Sequence, residues 1–235
     1  MNKKRVIIFS LLAIFLFSLL SYQVILSKSY NNIGVLELID KSEDQDEVNS
    51  EVSGPDNYGG KGYVNTQVKH LSSSYISKYI YSNLVNKLDD KKVKYFSIDS
   101  YKNYDLNDKN DIVKFCKNNK LDLFIKGYVL EADYVVSNVG DSYASVNSAN
   151  CNIKLKISFI DNNGNKLVTF YPESDNSESI INSNSSSKDI YKSPIVQNCL
   201  NSIFKQIYNK LNEYLYILFY NYNVFNNFIK KIKAK

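Results

Sequence analysis

A serine or cysteine hydrolase needs its nucleophile beside a base, and the base is usually histidine. This chain has one histidine, His70. It falls beside a run whose spacing predicts a helix start, far in sequence from Cys116 and Cys151. It reads as a helix-end or surface residue. Paired carboxylates are the other common acid–base device. Asp89–Asp90 and Asp108/Asp111 are explained by a turn and a helix start. Asp122, Glu131 and Asp133 lie along one long predicted strand, where Glu131 and Asp133 share a face about 6.5 Å apart. Such a pair, in a pocket that raised one pKa, would suit glycoside hydrolysis. Gly59-Gly60-Lys61-Gly62 lacks the spacing and the trailing Ser or Thr of a phosphate-binding loop. The stretch from Asp40 to Glu51 lacks the central glycine of a calcium loop.

The three cysteines, Cys116, Cys151 and Cys199, are widely spaced and contain no Cys-x-x-Cys motif. With a single histidine they make a metal centre an unexpected outcome. Their odd number leaves at least one thiol unpaired or pairing between chains. Buried structural thiols are the plain reading, and one bridge can form outside the cytoplasm. The sequence therefore predicts no catalytic, cofactor-binding or metal-binding residue, no cofactor and no enzyme activity.

Outside these residues the strongest signal is the N-terminus. Lys3, Lys4 and Arg5 precede an uncharged apolar stretch from Val6 to Leu26. As a helix it would measure about 31 Å, enough to cross a bilayer core, with the basic flank inside and the body outside. Residues 1–29 are thus either a retained signal anchor or a cleaved signal peptide, the latter needing small residues at the cut. No cysteine lies in or just after this segment, so no lipid-modified N-terminal cysteine is expected. The net charge of +5 includes the three leader charges, leaving a mildly basic body for which no nucleic-acid partner is expected.

About 205 residues remain, one domain by size. IGVLELI, Ile33 to Ile39, reads as a short strand. Residues 41–65 are polar with four glycines and read as a long mobile loop. From Val68 to Leu88, apolar residues at steps of three and four predict a helix, with Ser72 and Ser73 placed to cap it. A strand follows at 93–98. A second helix opens at Asp108, whose charge and that of Asp111 suit the helix dipole. Leu121 to Val136 reads as a long strand in which Leu121, Leu123, Ile125, Gly127 and Val129 share a face, and Gly127 marks a bend or a close approach by neighbouring backbone. Cys151, Ile153, Leu155, Ile157 and Phe159 alternate with polar residues, one face buried and one wet. Asp161-Asn162-Asn163-Gly164 is a tight turn in which Asn163 and Gly164 tolerate positive φ, and Lys166–Tyr171 returns as the partner strand. Residues 174–188 read as a polar loop or flap, and a helix runs from about Ile195 to about Tyr216. The expected order is β-α-β-α-β-β-β-α. The fold class is α/β (α+β), a mixed or antiparallel sheet covered by helices, after an N-terminal apolar helix.

Several of these stretches resemble the periplasmic α/β domain shared by curli-secretion channel lipoproteins, the N-terminal domain of the Tol–Pal translocation protein, and penicillin-binding-protein activator lipoproteins. They are the opening strand IGVLELID, the helix YISKYIYSNLVNKL before KVKYFSID, the strand LDLFIKGYVLEAD with Asp122 and Gly127, and the hairpin CNIKLKISFIDNNGNKLV with Asp161 and Gly164. The resemblance spans roughly residues 31 to 215. It implies an envelope assembly or regulatory protein without catalysis.

Residues 216–235 crowd aromatic and aliphatic side chains and end in lysines. Tyr216, Phe219, Tyr220, Phe225, Phe228, Lys230 and Lys231 are the residues expected to touch a membrane or a partner. Three roles stay open for this tail: covering the domain, lying in a membrane interface, or binding a partner or a second copy. The domain organisation is thus 1–29 leader, 30–215 extracytoplasmic domain and 216–235 tail. The expected protein is a non-catalytic cell-envelope accessory protein that works by protein–protein contact or self-association. It would sit on the periplasmic side of the inner membrane, or be exported if the leader is cleaved. The alternatives are an envelope enzyme acting on cell-wall glycan and a subunit of an oligomeric secretion assembly.

Overall fold

The computed structural model describes residues 30–42, 50–55, 61–140, 145–180 and 190–233, with the side chains of 50–63, 145, 179–180 and 216–233 left aside. The leader lies outside the described residues. The elements are β1 (Asn32–Leu36), β2 (Ile39–Asp40), β3 (Ser50–Pro55), β4 (Lys61–His70), α1 (Ser73–Lys87), β5 (Lys92–Phe96), α2 (Ile98–Tyr101), α3 (Lys109–Asn119), β6 (Leu123–Gly140), β7 (Ser145–Asp161), β8 (Lys166–Phe170), β9 (Glu173–Ile180) and α4 (Pro194–Lys233), with a 3-10 turn at Ile190–Lys192. The fold is α/β, one mixed sheet covered by helices.

The spine of the sheet is the antiparallel pair β6 and β7, matched from Leu123↔Asp161 to Gly140↔Ser145. On the free edge of β6 three strands follow one another. β1 runs parallel beside Leu123–Ile125, β2 runs parallel beside Tyr128 and Val129, and β4 runs antiparallel beside Asp133–Gly140. β5 flanks β1 in parallel and β3 flanks β4 antiparallel. The free edge of β7 carries β8 and β9.

The spine forms because its inward row is apolar at every second residue. Cys151, Ile153, Leu155, Ile157 and Phe159 are all fully buried, as their alternation predicts. Burying each large aliphatic side chain contributes about 1.5–3 kcal/mol. Gly127 stands where that packing is closest, since a Cβ there would meet the carbonyl oxygen of Lys156. On the opposite side of the sheet, Leu36, Phe96, Phe115, Cys116 and Phe124 form a second cluster with Ile112 of α3. Asp108 caps α3 by accepting from the backbone N–H groups of Asn110 and Asp111. Val113, also on α3, is 38% exposed.

Several sequence expectations change. Residues 41–65 are not a single loop, because β3 and the start of β4 form a hairpin there; a long free edge on β6 gives these polar residues a ladder to join. Residues 174–188 likewise begin as β9, paired with β7. Val68–His70 belong to a strand, so the first helix starts at Ser73. Ser72 occupies the cap position without a side-chain capping bond. In the β7–β8 turn the positive φ falls on Gly164, at 77°, and not on Asn163; Asp161 holds the turn by accepting from the backbone N–H groups of Asn163 and Asn165. α4 runs unbroken from Pro194 to Lys233, well beyond Tyr216. The whole sheet lies in the compact unit Asn31–Lys210, and the continuation of α4 from Leu211 belongs to a second unit. Among the described residues no helix is long and apolar enough to cross a membrane.

Candidate functional site

Three titratable groups meet where β2 and β4 arrive head-on along the edge of β6. β2 ends beside Val129, whose carbonyl accepts from Lys41 N, and β4 ends beside Asp133, with Leu71 N donating to the Ala132 carbonyl. Between these points β6 carries a bulge. Val129 pairs with Leu155 and Glu131 with Lys154, so Leu130 is the extra residue. A bulge shifts the side-chain alternation by one. Leu123, Ile125 and Val129 are buried on one face, and beyond the bulge it is Ala132 that is buried. Glu131 and Asp133 are thereby turned to the opposite, polar face.

There His70 Nδ1 lies 3.1 Å from Asp133 Oδ1, and Nε2 lies 3.0 Å from Asp40 Oδ2 and 3.1 Å from Ser42 Oγ. Ser42 Oγ donates to Asp40 Oδ1 at 2.6 Å, and its backbone N–H donates to the same oxygen at 3.0 Å. His70 is therefore a strand-end residue bridging two carboxylates, not a helix-end residue. Burial pushes its pKa down, but the hydrogen bonds and charges of Asp133 and Asp40 outweigh it and the net shift is upward. Burial pushes the Asp40 carboxyl up, and the bonds from Ser42 and His70 bring it below its ordinary value.

This geometry brings a serine, a histidine and an aspartate together, yet the protons are placed wrongly for nucleophilic catalysis. Satisfying both carboxylates puts a proton on each ring nitrogen, and an imidazolium has no lone pair with which to act as base. The Ser42 hydroxyl proton is already directed at Asp40. The arrangement can clasp β2, β4 and β6 together.

A second candidate is set by topology. The order β5-β1-β6, with α1 leading into β5 and α3 lying between β5 and β6 in the chain, makes the C-terminal end of β1 a switch point, the ordinary place for ligands in open α/β sheets. A cavity of about 270 Å³ lies there, lined by Glu37, Tyr101, Lys126 and Tyr128 among others. Its polar groups serve the chain itself. Lys126 Nζ donates to Leu106 O at 2.6 Å and to Asn107 Oδ1 at 3.2 Å. Glu37 accepts from the backbone N–H of Ile98 at 3.2 Å, and the Tyr101 hydroxyl donates to Glu37 O at 2.7 Å. Burial lowers the pKa of Lys126, and burial followed by the charge of Glu37 pushes Tyr101 up to about 12.

Third, the polar face carries an apolar row near the end of the β6–β7 hairpin. Val64 pairs with Val139, which pairs with Val146. The three are 37%, 50% and 55% exposed.

Of the carboxylates considered from sequence, Asp133 is taken up by His70, and Glu131 accepts from the amide of Asn152. Asp122 accepts from Asn31 N, Asn32 N and Asn32 Nδ2 at 3.0, 2.9 and 2.9 Å, fastening the start of β1. Tyr216, Phe219, Tyr220, Phe225, Phe228, Lys230 and Lys231 lie on α4, with side chains outside those described. Among the described residues no group of three or more His, Cys, Asp or Glu is placed to hold a metal. Sequence reasoning missed Asp40 and Ser42 as partners of His70, since no local spacing links positions 30 and 28 residues apart on different strands.

The fold and these sites define an α/β domain with a mixed sheet and a clasped strand junction. No family model and no curated protein matches the sequence. Among solved structures, the chain is similar to a homologue of the neuraminyllactose-binding hemagglutinin from Helicobacter pylori, at 14% identity and a TM-score of 0.44 over 81% of this chain and 92% of the other. It is also similar to a lipoprotein from Neisseria meningitidis, at 16% identity and a TM-score of 0.35 over 76% and 98%.

Proposed function

We propose that this chain is a non-catalytic accessory protein of the bacterial cell envelope that works through protein–protein contact. The observation that carries this reading is the in-register row Val64–Val139–Val146, three exposed β-branched residues on adjacent strands. Exposed apolar side chains grouped on a sheet face suit a partner's surface better than water. The apolar leader behind a basic flank supports an envelope location, and the resemblance to envelope assembly domains points the same way. The geometry of the clasp supports the absence of catalysis: both ring nitrogens of His70 are engaged by carboxylates. The glycan-hydrolase reading needs Glu131 and Asp133 to flank one bond, and each is engaged by a different neighbour.

A photo-crosslinking amino acid placed singly at Val139, at Val146, and at exposed Val85 of α1 tests this in native cells. The expected result is an adduct of one discrete mass, containing this chain and one envelope protein, from Val139 and Val146 and not from Val85. Absence of adducts from the row, or equal adducts from all three positions, would defeat the reading.

A further inference from the structure

Cys151 and Cys199 stand 48 residues apart in sequence, and both are fully buried. Cys151 belongs to the inward row of β7, and Cys199 to the buried stripe of α4 with Val196, Leu200 and Ile203. The Cys199 thiol donates to the carbonyl oxygen of Cys151 at 2.9 Å, and the two thiols are hydrogen-bonded neighbours. Asn176 Nδ2, on β9, donates to Cys199 Sγ at 3.2 Å. A sulfur seated on its neighbour's own carbonyl is compatible with the Cα separation of about 4.4–6.8 Å that a disulfide needs. Cys116, on α3, is buried in the cluster on the other face of the sheet.

We propose that Cys151 and Cys199 are a disulfide pair that closes when the protein folds under oxidising conditions, and that Cys116 takes no part. The exchange needs a disulfide as oxidant, either oxidised glutathione or a Cys-x-x-Cys oxidoreductase. A thiolate at one of the two cysteines attacks one sulfur of that disulfide, whose S–S bond breaks and releases one thiolate. The other cysteine then gives its proton to the released thiolate and attacks the protein sulfur of the mixed disulfide, expelling the second thiolate. Two S–H bonds are replaced by one S–S bond in the protein, and the oxidant leaves as two thiols. Because both sulfurs are buried, the exchange precedes the seating of α4 on the sheet.

The test uses the full chain, reduced, unfolded and refolded in a buffer of reduced and oxidised glutathione. It is then denatured in N-ethylmaleimide and weighed intact. It is independent of where the protein resides in the cell. The expected result is one maleimide per chain, mapped to Cys116, against three in the reduced control, together with a linked peptide joining Cys151 and Cys199. The C116S variant is expected to carry none. Folded protein that takes up three maleimides, a bridge that includes Cys116, or two maleimides on C116S would overturn the proposal.

Discussion

His70 faces Asp133 directly across the β4–β6 ladder, and the ring and carboxylate meet at 3.1 Å. The second ring nitrogen reaches Asp40 at the end of β2, so one side chain joins three strands. Because the His70 pKa is raised, its contribution to stability is fully present below the unfolded value of about 6.5 and is lost as pH rises through the folded value. The Asp40 pKa is lowered, so its contribution is present above about 3.9 and is lost as pH falls through the folded value. Both act together between about pH 4 and 6.5.

His70→Gln should therefore cost about 1 kcal/mol at pH 5.5, a figure held down by solvent screening of a ring one-third exposed. The cost should shrink by pH 9. Urea unfolding of both proteins at the two pH values reads this, and a pH-independent difference would refute the ionic clasp.

Removing Leu130 should leave the register of the sheet intact. Without the extra residue, Glu131 follows Val129 directly opposite Lys154, Ala132 stays opposite Ile153, and Asp133 keeps the polar face. The deletion variant is expected to keep the protection of β4, β6 and β7 against proteolysis. Removing Leu130 and Glu131 together would instead turn Ala132 outward and Asp133 inward, and burying that carboxylate away from His70 costs several kcal/mol. The double deletion is expected to lose the protection, and equal protection of the two variants would contradict the register.

Asp122→Ala removes the acceptor of three N–H groups at the start of β1. A loss of about 2 kcal/mol is expected, since hydrogen bonds to a charged group contribute more than neutral ones. Amide exchange at Asn31 and Asn32 should rise before that of β7. Uniform exchange across both would argue that Asp122 holds nothing in particular.

Gly127→Ala places a methyl group against the backbone of Lys156, 2.8 Å from Ile157 Cδ1 and 3.2 Å from Leu38 Cδ2. Backbone cannot rotate aside, so a loss of about 3 kcal/mol is expected. Gly164→Ala, strained by its positive φ, should lose about 1 kcal/mol. Equal losses in thermal unfolding would contradict the difference in environment.

The Cys151–Cys199 bridge would close a loop of about 49 residues and restrict the unfolded chain by about 4 kcal/mol. The oxidised protein should unfold at clearly higher urea than the reduced protein, and C199S should be insensitive to reductant.

The sequence made the spine legible where burial is one-sided. Cys151 to Phe159 alternate without interruption, and Asp108 and Gly164 act through local geometry that residue type alone announces. It hid β3 and β9, because edge strands with polar residues on both faces lack the contrast that marks a strand. The bulge was invisible for a related reason. Val129, Leu130 and Ala132 fit either phase, and the register is settled by β7 across the ladder. The clasp depends on that register and on two loops between its members. No spacing in the chain encodes it.

The shared edge of β6 has a consequence for the order of assembly in time. β6 and β7 are joined by a short connection, as are β7 and β8, so these ladders close at little entropic cost. β1 reaches β6 across about 90 residues and is expected to dock late, as contacts distant in sequence do. Pulse-labelled hydrogen exchange during refolding should find Ile153–Phe159 protected before Ile33–Leu36. β2 and β4 can meet across His70 only once both halves of the edge have been occupied, so forming the clasp would mark the last strand junction of the sheet to close.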